Sequence, residues 1–103
     1  MDIEIKLDKL LTKSNPEEVY KPAKKIIHPH SNFELNLSTR KNNKYMIRGE
    51  FTNNKWVHFG NINYEDYTFH KDKRRLDNFR KRNSKWGYSN MDTPSFLSFY
   101  LLW

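Results

Sequence analysis

Between positions 71 and 85 the chain places Lys71, Lys73, Arg74, Arg75, Arg80, Lys81, Arg82 and Lys85 against only Asp72 and Asp77. Eight cations less two anions leave a local charge of +6, most of the +7 excess of the whole chain. Clustered cations at helical or groove spacing are what contact with successive phosphates needs. The same field attracts anionic lipid heads and acidic protein surfaces, so sign alone does not choose the partner. The opposing reading is internal pairing, in which Arg75, Arg80 and Arg82 meet Glu65, Asp66, Asp72 and Asp77 and fix a loop on a helix. Both hold together if some arginines pair and the rest stay free. Lys73, Arg74, Lys81, Arg82 and Lys85 are then the expected nucleic-acid contacts, with Trp86 and Tyr88, beside Gly87, as exposed rings that stack on bases. Glu65, Asp66, His70, Asp72 and Arg75 are the expected turn and ion-pair set.

Catalysis finds less to work with. No Gly-rich phosphate loop, serine elbow or apolar-embedded carboxylate pair occurs, and three glycines leave few close-approach turns. The tripeptide His70-Lys71-Asp72 shares only letters with the phospholipase D motif, whose lysine stands two residues beyond its histidine. A proton-transfer pair of His70 and Asp66 is the remaining catalytic reading, and charge pairing explains Glu65 and Asp66 more simply. His28 and His30 flank Pro29, while His58 and His70 stand apart without matching carboxylates, so neither a metal site nor a cofactor is expected. The absence of cysteine excludes disulfides and thiolate chemistry. The expectation is therefore a binding protein and not an enzyme.

The elements that must position these residues fit one small α+β domain, since 103 residues are too few for two cores. Hydrophobic residues are scarce at 36%, but 16% of the chain is aromatic, so rings must supply much of the core. Phe33, Leu35 and Leu37 alternate with polar residues as in a half-buried strand. Tyr45 to Phe51 and Lys55 to Phe59 flank Asn53-Asn54, a pair that tolerates positive φ, which predicts a three-stranded antiparallel meander. Pairing Phe51 with Trp56 puts Tyr45, Ile47, Phe51 and Trp56 on the core face, opposite Met46, Arg48, Glu50, Val57 and Phe59. Asp72 caps a predicted helix to about Ser84, with Leu76 and Phe79 as its apolar stripe and Arg74 and Lys81 nearly opposite. Thr93-Pro94 opens an apolar C-terminal helix ending in Leu101-Leu102-Trp103.

Residues 1–32 read differently. Ile3, Ile5 and Leu7 alternate like a strand, while Leu7, Leu10 and Leu11 fit a helical face, and the two readings stay open. Pro16, Pro22 and Pro29 predict an extended, lysine-rich arm beyond them, so the domain proper is expected at 33–103. No run approaches the ~20 apolar residues of a membrane span, and the opening Met1-Asp2-Ile3-Glu4-Ile5-Lys6 lacks a signal-peptide pattern. The expected location is cytoplasm or nucleus, and not secreted.

His58-Phe59-Gly60, Tyr64-Glu65-Asp66-Tyr67-Thr68, His70-Lys71-Asp72, Arg75, Arg82, Phe96-Leu97-Ser98 and Leu101-Leu102-Trp103 keep an order and spacing that resemble a family of small proteins, DUF5754. The resemblance covers about residues 45–103. Members occur mainly in large DNA viruses and phages, so the resemblance implies a viral protein in host cytoplasm or nucleus, or packaged in a virion, and it implies no activity. Members often continue past Leu-Leu-Trp with an Asn-Lys-Pro segment, and Asn83 stands where His is common. Two functions follow as expectations: non-specific binding of DNA or RNA through the cationic helix, or a minor capsid-associated role in which the arm threads between virion proteins and the basic face meets acidic partners. Oligomeric state is left open.

Overall fold

The computed structural model describes residues 2–103. Strands β1 (Phe33–Leu37), β2 (Asn43–Gly49) and β3 (Val57–Asn61) form an antiparallel sheet in the order β1-β2-β3, the meander expected from the alternation. Among the described residues five α-helices accompany it: α1 (Ile3–Leu11), α2 (Pro16–Ile26), α3 (Tyr67–His70), α4 (Lys73–Arg82) and α5 (Pro94–Leu97). A π-helical turn over Ser98–Leu102 carries α5 to the C-terminus. The fold is α+β.

The register differs from the expected one. Tyr45 stands opposite Phe59 and Ile47 opposite Val57, so Val57 and Phe59 share the core face with Tyr45 and Ile47. Leu37 and Leu35 extend that face on β1, opposite Tyr45 and Ile47. Phe51 and Trp56 do not pair, because β2 stops at Gly49. There the Thr52 hydroxyl donates to the Gly49 carbonyl and accepts from the Gly49 amide, closing a 3-10 turn over Glu50–Thr52. Asn53 and Asn54 then take φ of 55° and 59°, the left-handed conformation expected of this pair. The shift is an odd number of residues, which moves alternate side chains of β3 to the other face. Trp56 accordingly lies against the Arg48 guanidinium, 4.5 Å from its ring centre, and Arg48 pairs across the strands with Glu34.

The extended arm expected over residues 12–32 is instead largely helix α2, and α1 precedes it. The Asp2 carboxylate accepts from the Glu4 amide and caps α1, resolving the strand-or-helix ambiguity of Ile3 to Leu11. Asn15 caps α2 in the same way, and Pro16 occupies its first turn, where a missing N–H costs nothing. Pro22 lies inside α2 and forfeits one ladder bond, yet Val19, Ala23 and Ile27, four residues apart, are fully buried on one stripe. Burial of that stripe outweighs the local break. Leu10 of α1 and this stripe join Tyr45, Ile47, Phe59, Leu97, Leu101 and Leu102 in one cluster, so residues before position 33 belong to the same core as the sheet.

Candidate nucleic-acid interface

Helix α4 is fixed at its start. The Asp72 carboxylate accepts from the Arg74 and Arg75 amides, and the imidazole Nδ1 of His70 accepts from the Asp72 amide at 2.9 Å. Burial lowers the pKa of His70, and the Arg75 charge lowers it further, so the neutral ring that this bond requires is favoured. Its Nε2 is buried without a partner among the described residues, and the ring packs on Trp103, 5.2 Å between centroids.

No residue of α4 is fully buried; Leu76 and Phe79 are only half-buried. The helix rests instead on rings of the C-terminal segment. Phe79 stacks on Trp103 at 4.3 Å with planes 6° apart, and Trp86 meets Phe79 edge-on at 5.8 Å. Arg80 donates to the Trp103 carbonyl and lies 5.3 Å from the Phe99 ring centre. The Tyr100 hydroxyl donates to the Gly87 carbonyl, tying down the 3-10 turn over Ser84–Tyr88 that carries Lys85 and Trp86. At the far end the Asn83 side chain donates to the Phe79 carbonyl, which gives a physical role to the residue standing where His is common.

At 100° per residue, Arg75, Asn78, Phe79 and Arg82 share one face of α4, while Lys73, Arg74, Asp77 and Lys81 share the other. The first face lines a cleft of about 600 Å³ bounded by Asn43, Gly60 and Asn61 of the sheet and by Ser98, Leu102 and Trp103. The second face is exposed. Arg75 is paired with Glu65 at 2.9 Å, and this bond holds the Glu65 carboxyl below its ordinary range. Lys71 pairs with Glu18 of α2. Among the described residues Lys73, Arg74, Lys81, Arg82 and Lys85 make no ion pair. Tyr88 is 91% exposed, and Trp86, 36% exposed, lines the cleft.

Asp66 is engaged elsewhere. It is fully buried and pairs at 2.9 Å with Lys44, whose side chain is 2% exposed, and it is the cap of α3 through the Thr68 amide and hydroxyl. Thr68 in turn meets Ser14, and Ser14 meets the Tyr45 hydroxyl at 2.6 Å, all out of solvent. Burial lowers the pKa of Lys44 even against the attraction of Asp66, and raises that of Tyr45. Asp66 therefore bonds Lys44 and Thr68 while His70 bonds the Asp72 amide, and no side-chain hydrogen bond joins Asp66 to His70 among the described residues. Sequence reasoning missed Lys44, because a lysine in a strand ordinarily faces water. No local signal marks it, since alternation puts Lys44 on the face of β2 opposite Tyr45 and its partner Asp66 stands 22 residues away.

His58 accepts or donates at Nδ1 to the Ser38 hydroxyl at 2.6 Å, and no group of His, Asp or Glu among the described residues is arranged to hold a metal ion. No described helix is long and apolar enough to cross a membrane. No curated protein and no solved structure matches the chain. Residues 33–83, from the start of β1 to the cap of α4, match the model of DUF5754, a family of unknown function, and so support the kinship suggested by the His58 to Asp72 motifs.

Proposed function

We propose that this chain is a viral accessory protein that binds nucleic acid without reading its sequence, through α4 and the turn that follows it. One observation supports the reading above others: Lys73, Arg74, Lys81, Arg82 and Lys85 are exposed and unpaired among the described residues, while Glu65, Asp66 and Asp72 are occupied elsewhere. Only Asp77 lies among the outer cations to offset them. A helix that carries its apolar contacts on one side and cations on the other lies along a backbone groove and touches several phosphates. The hydrogen-bonding groups available there are flexible ammonium and guanidinium donors, which hold phosphates and do not discriminate bases.

The capsid-associated alternative relied on an extended arm threading between subunits. Residues 3–11 and 16–26 are helical and contribute to the core, which weakens the threading arm, while the basic face expected to meet acidic partners serves that alternative as well as the first.

The test is affinity for a short duplex measured across salt concentrations. Five neutralised phosphates give a slope of log K against log salt of about −4 to −5. Changing Lys73, Arg74 and Lys81 together to Gln removes three contacts and flattens the slope by about 3. Each change costs at most about 0.5 kcal/mol of stability, because these side chains are exposed. Binding insensitive to salt, or a slope the triple variant leaves unchanged, would remove the proposal.

A further inference from the structure

The cleft beside α4 has a composition that phosphate binding alone does not account for. Two exposed rings from separate loops line it: Tyr64, 68% exposed, between β3 and α3, and Trp86, 36% exposed, after α4. Rings left this open to water gain from being covered. The floor is already complete, because Phe79 and Trp103 cover each other face to face. Trp86 meets that floor in a T-shaped contact with planes 78° apart, and its indole has no stacked ring partner among the described residues. Around the rings stand the side-chain amides of Asn43, Asn61 and Asn78, and Arg82 projects from the same face of α4 without a carboxylate partner among the described residues.

A flat heteroaromatic ring with edge donors and acceptors and an attached phosphate matches each of these features. The ring faces stack on indole and phenol, the edges meet amides that both donate and accept, and the phosphate meets a free guanidinium. A volume of about 600 Å³ is the size of a small-ligand site and has no room for a double helix. Bases inside a duplex are also stacked on one another, so their faces are unavailable without unpairing.

We infer that the cleft receives one unpaired nucleotide of a single strand, its base against Trp86 and Tyr64 and its phosphate on Arg82, while Lys73, Arg74 and Lys81 on the outer face hold the flanking backbone. This rests on the nucleic-acid reading above and narrows it to strands with accessible bases. Arg75 keeps its bond to Glu65 and frames the cleft wall without meeting the phosphate.

The experiment compares a twelve-nucleotide oligothymidine with an abasic strand of equal length and charge, at one salt concentration and then across several. The wild-type protein is expected to bind the base-bearing strand roughly tenfold more tightly, the scale of one stacked base. Both strands should show the same salt slope. Trp86→Ala should bring the ratio to about one without altering the slope, since no phosphate contact is lost. Tyr64→Ala, at a position too exposed to matter for folding, should lower the ratio severalfold and keeps the test decisive if the Trp86 variant misfolds. Thymidine monophosphate should bind far more weakly than the strand, because it cannot reach the outer cations. Equal affinity for abasic and base-bearing strands, a ratio untouched by both variants, or a free nucleotide as tight as the strand would overturn the inference while leaving salt-dependent binding in place. Absence of salt-dependent binding to any strand would instead overturn the underlying reading.

Discussion

Lys44 and Lys81 are the same side chain in opposite settings. Lys44 is enclosed, with Asp66 at 2.9 Å as its counter-charge, and Lys6 is likewise buried with its ammonium on the carbonyls of Ser38 and Arg40. Lys81 stands on the outer face of α4, exposed and without an ion-pair partner among the described residues. The first region encloses its charges in α1, α2, the sheet and the C-terminal helix. The second hangs from that body by a stacked ring pair and a few hydrogen bonds. Positive charge is thus divided between a buried set that fixes the fold and an exposed, unpaired set on a separate stretch of chain, which is the set proposed to meet nucleic acid.

The sharpest way to break this contrast is at the buried pair. Asp66→Asn keeps one acceptor for Thr68 but turns an amide toward the Lys44 ammonium, which is then a buried cation with no counter-charge. The expected loss is about 3–5 kcal/mol, read as a drop in the urea midpoint. A loss under about 1 kcal/mol would mean that Lys44 reaches water and that the two regions do not differ in the way described. The outer cations set the contrasting standard, at about 0.5 kcal/mol or less for each.

Gly60 is where the stem of Lys44 passes from the sheet toward the cleft. Its φ of 79° is left-handed, and an added Cβ would lie 2.9 Å from Leu102 Cδ1 and 3.2 Å from Lys44 Cδ. Gly60→Ala is expected to cost about 1–3 kcal/mol through backbone strain and crowding together. Because Gly60 also borders the cleft, the same variant should loosen the enclosure of Lys44 without touching any outer cation. Thermal unfolding checks the stability loss, and an unchanged salt slope for duplex binding checks that α4 is intact.

Much of this arrangement is legible in the sequence alone. The cap at Asp72, the Thr93-Pro94 start, the alternation of Phe33, Leu35 and Leu37 and the left-handed Asn53-Asn54 are local signals, and each fell where its local chemistry required. What failed turned on a side-chain bond that alternation does not carry and on burial supplied from across the fold. Thr52 ends β2 by binding Gly49, a side-chain event that alternation does not encode, and it moved the register by three residues, so that Tyr45 meets Phe59. Three prolines argued for an arm, but Pro16 sits where helices accept proline, and the stripe of Val19, Ala23 and Ile27 finds the sheet to cover it. For the candidate site, the excess of cations could be read from charge density, but which of them pair could not, since Arg82 was as open to pairing as Arg75. The cleft could not, since it exists only where α4 is brought beside Asn43, Asn61 and Tyr64.

The smallest expected effect lies at His70, where the two regions meet. Its Nδ1 accepts from the Asp72 amide and so helps start α4 only while the ring is neutral. Burial and the Arg75 charge place its pKa in the folded protein below the 6.5 of a free histidine, with Asp72, Glu65 and Asp66 opposing in part. The unfolded chain therefore takes up the proton first as pH falls. Stability should be full above pH 6.5, decline as pH falls from there to the folded pKa, and level off below it, where both states are protonated. His58 is lowered in the same direction by burial and by Arg40 and Lys6, so part of the slope belongs to it. His70→Asn offers an uncharged acceptor at nearly the same place and should remove only the His70 share, leaving the remainder to be abolished by a further change at His58. If unfolding midpoints measured from pH 8 to pH 5 follow the same curve with and without His70, the joint between core and cationic helix does not depend on the neutral ring, and Asp72 alone sets the start of α4.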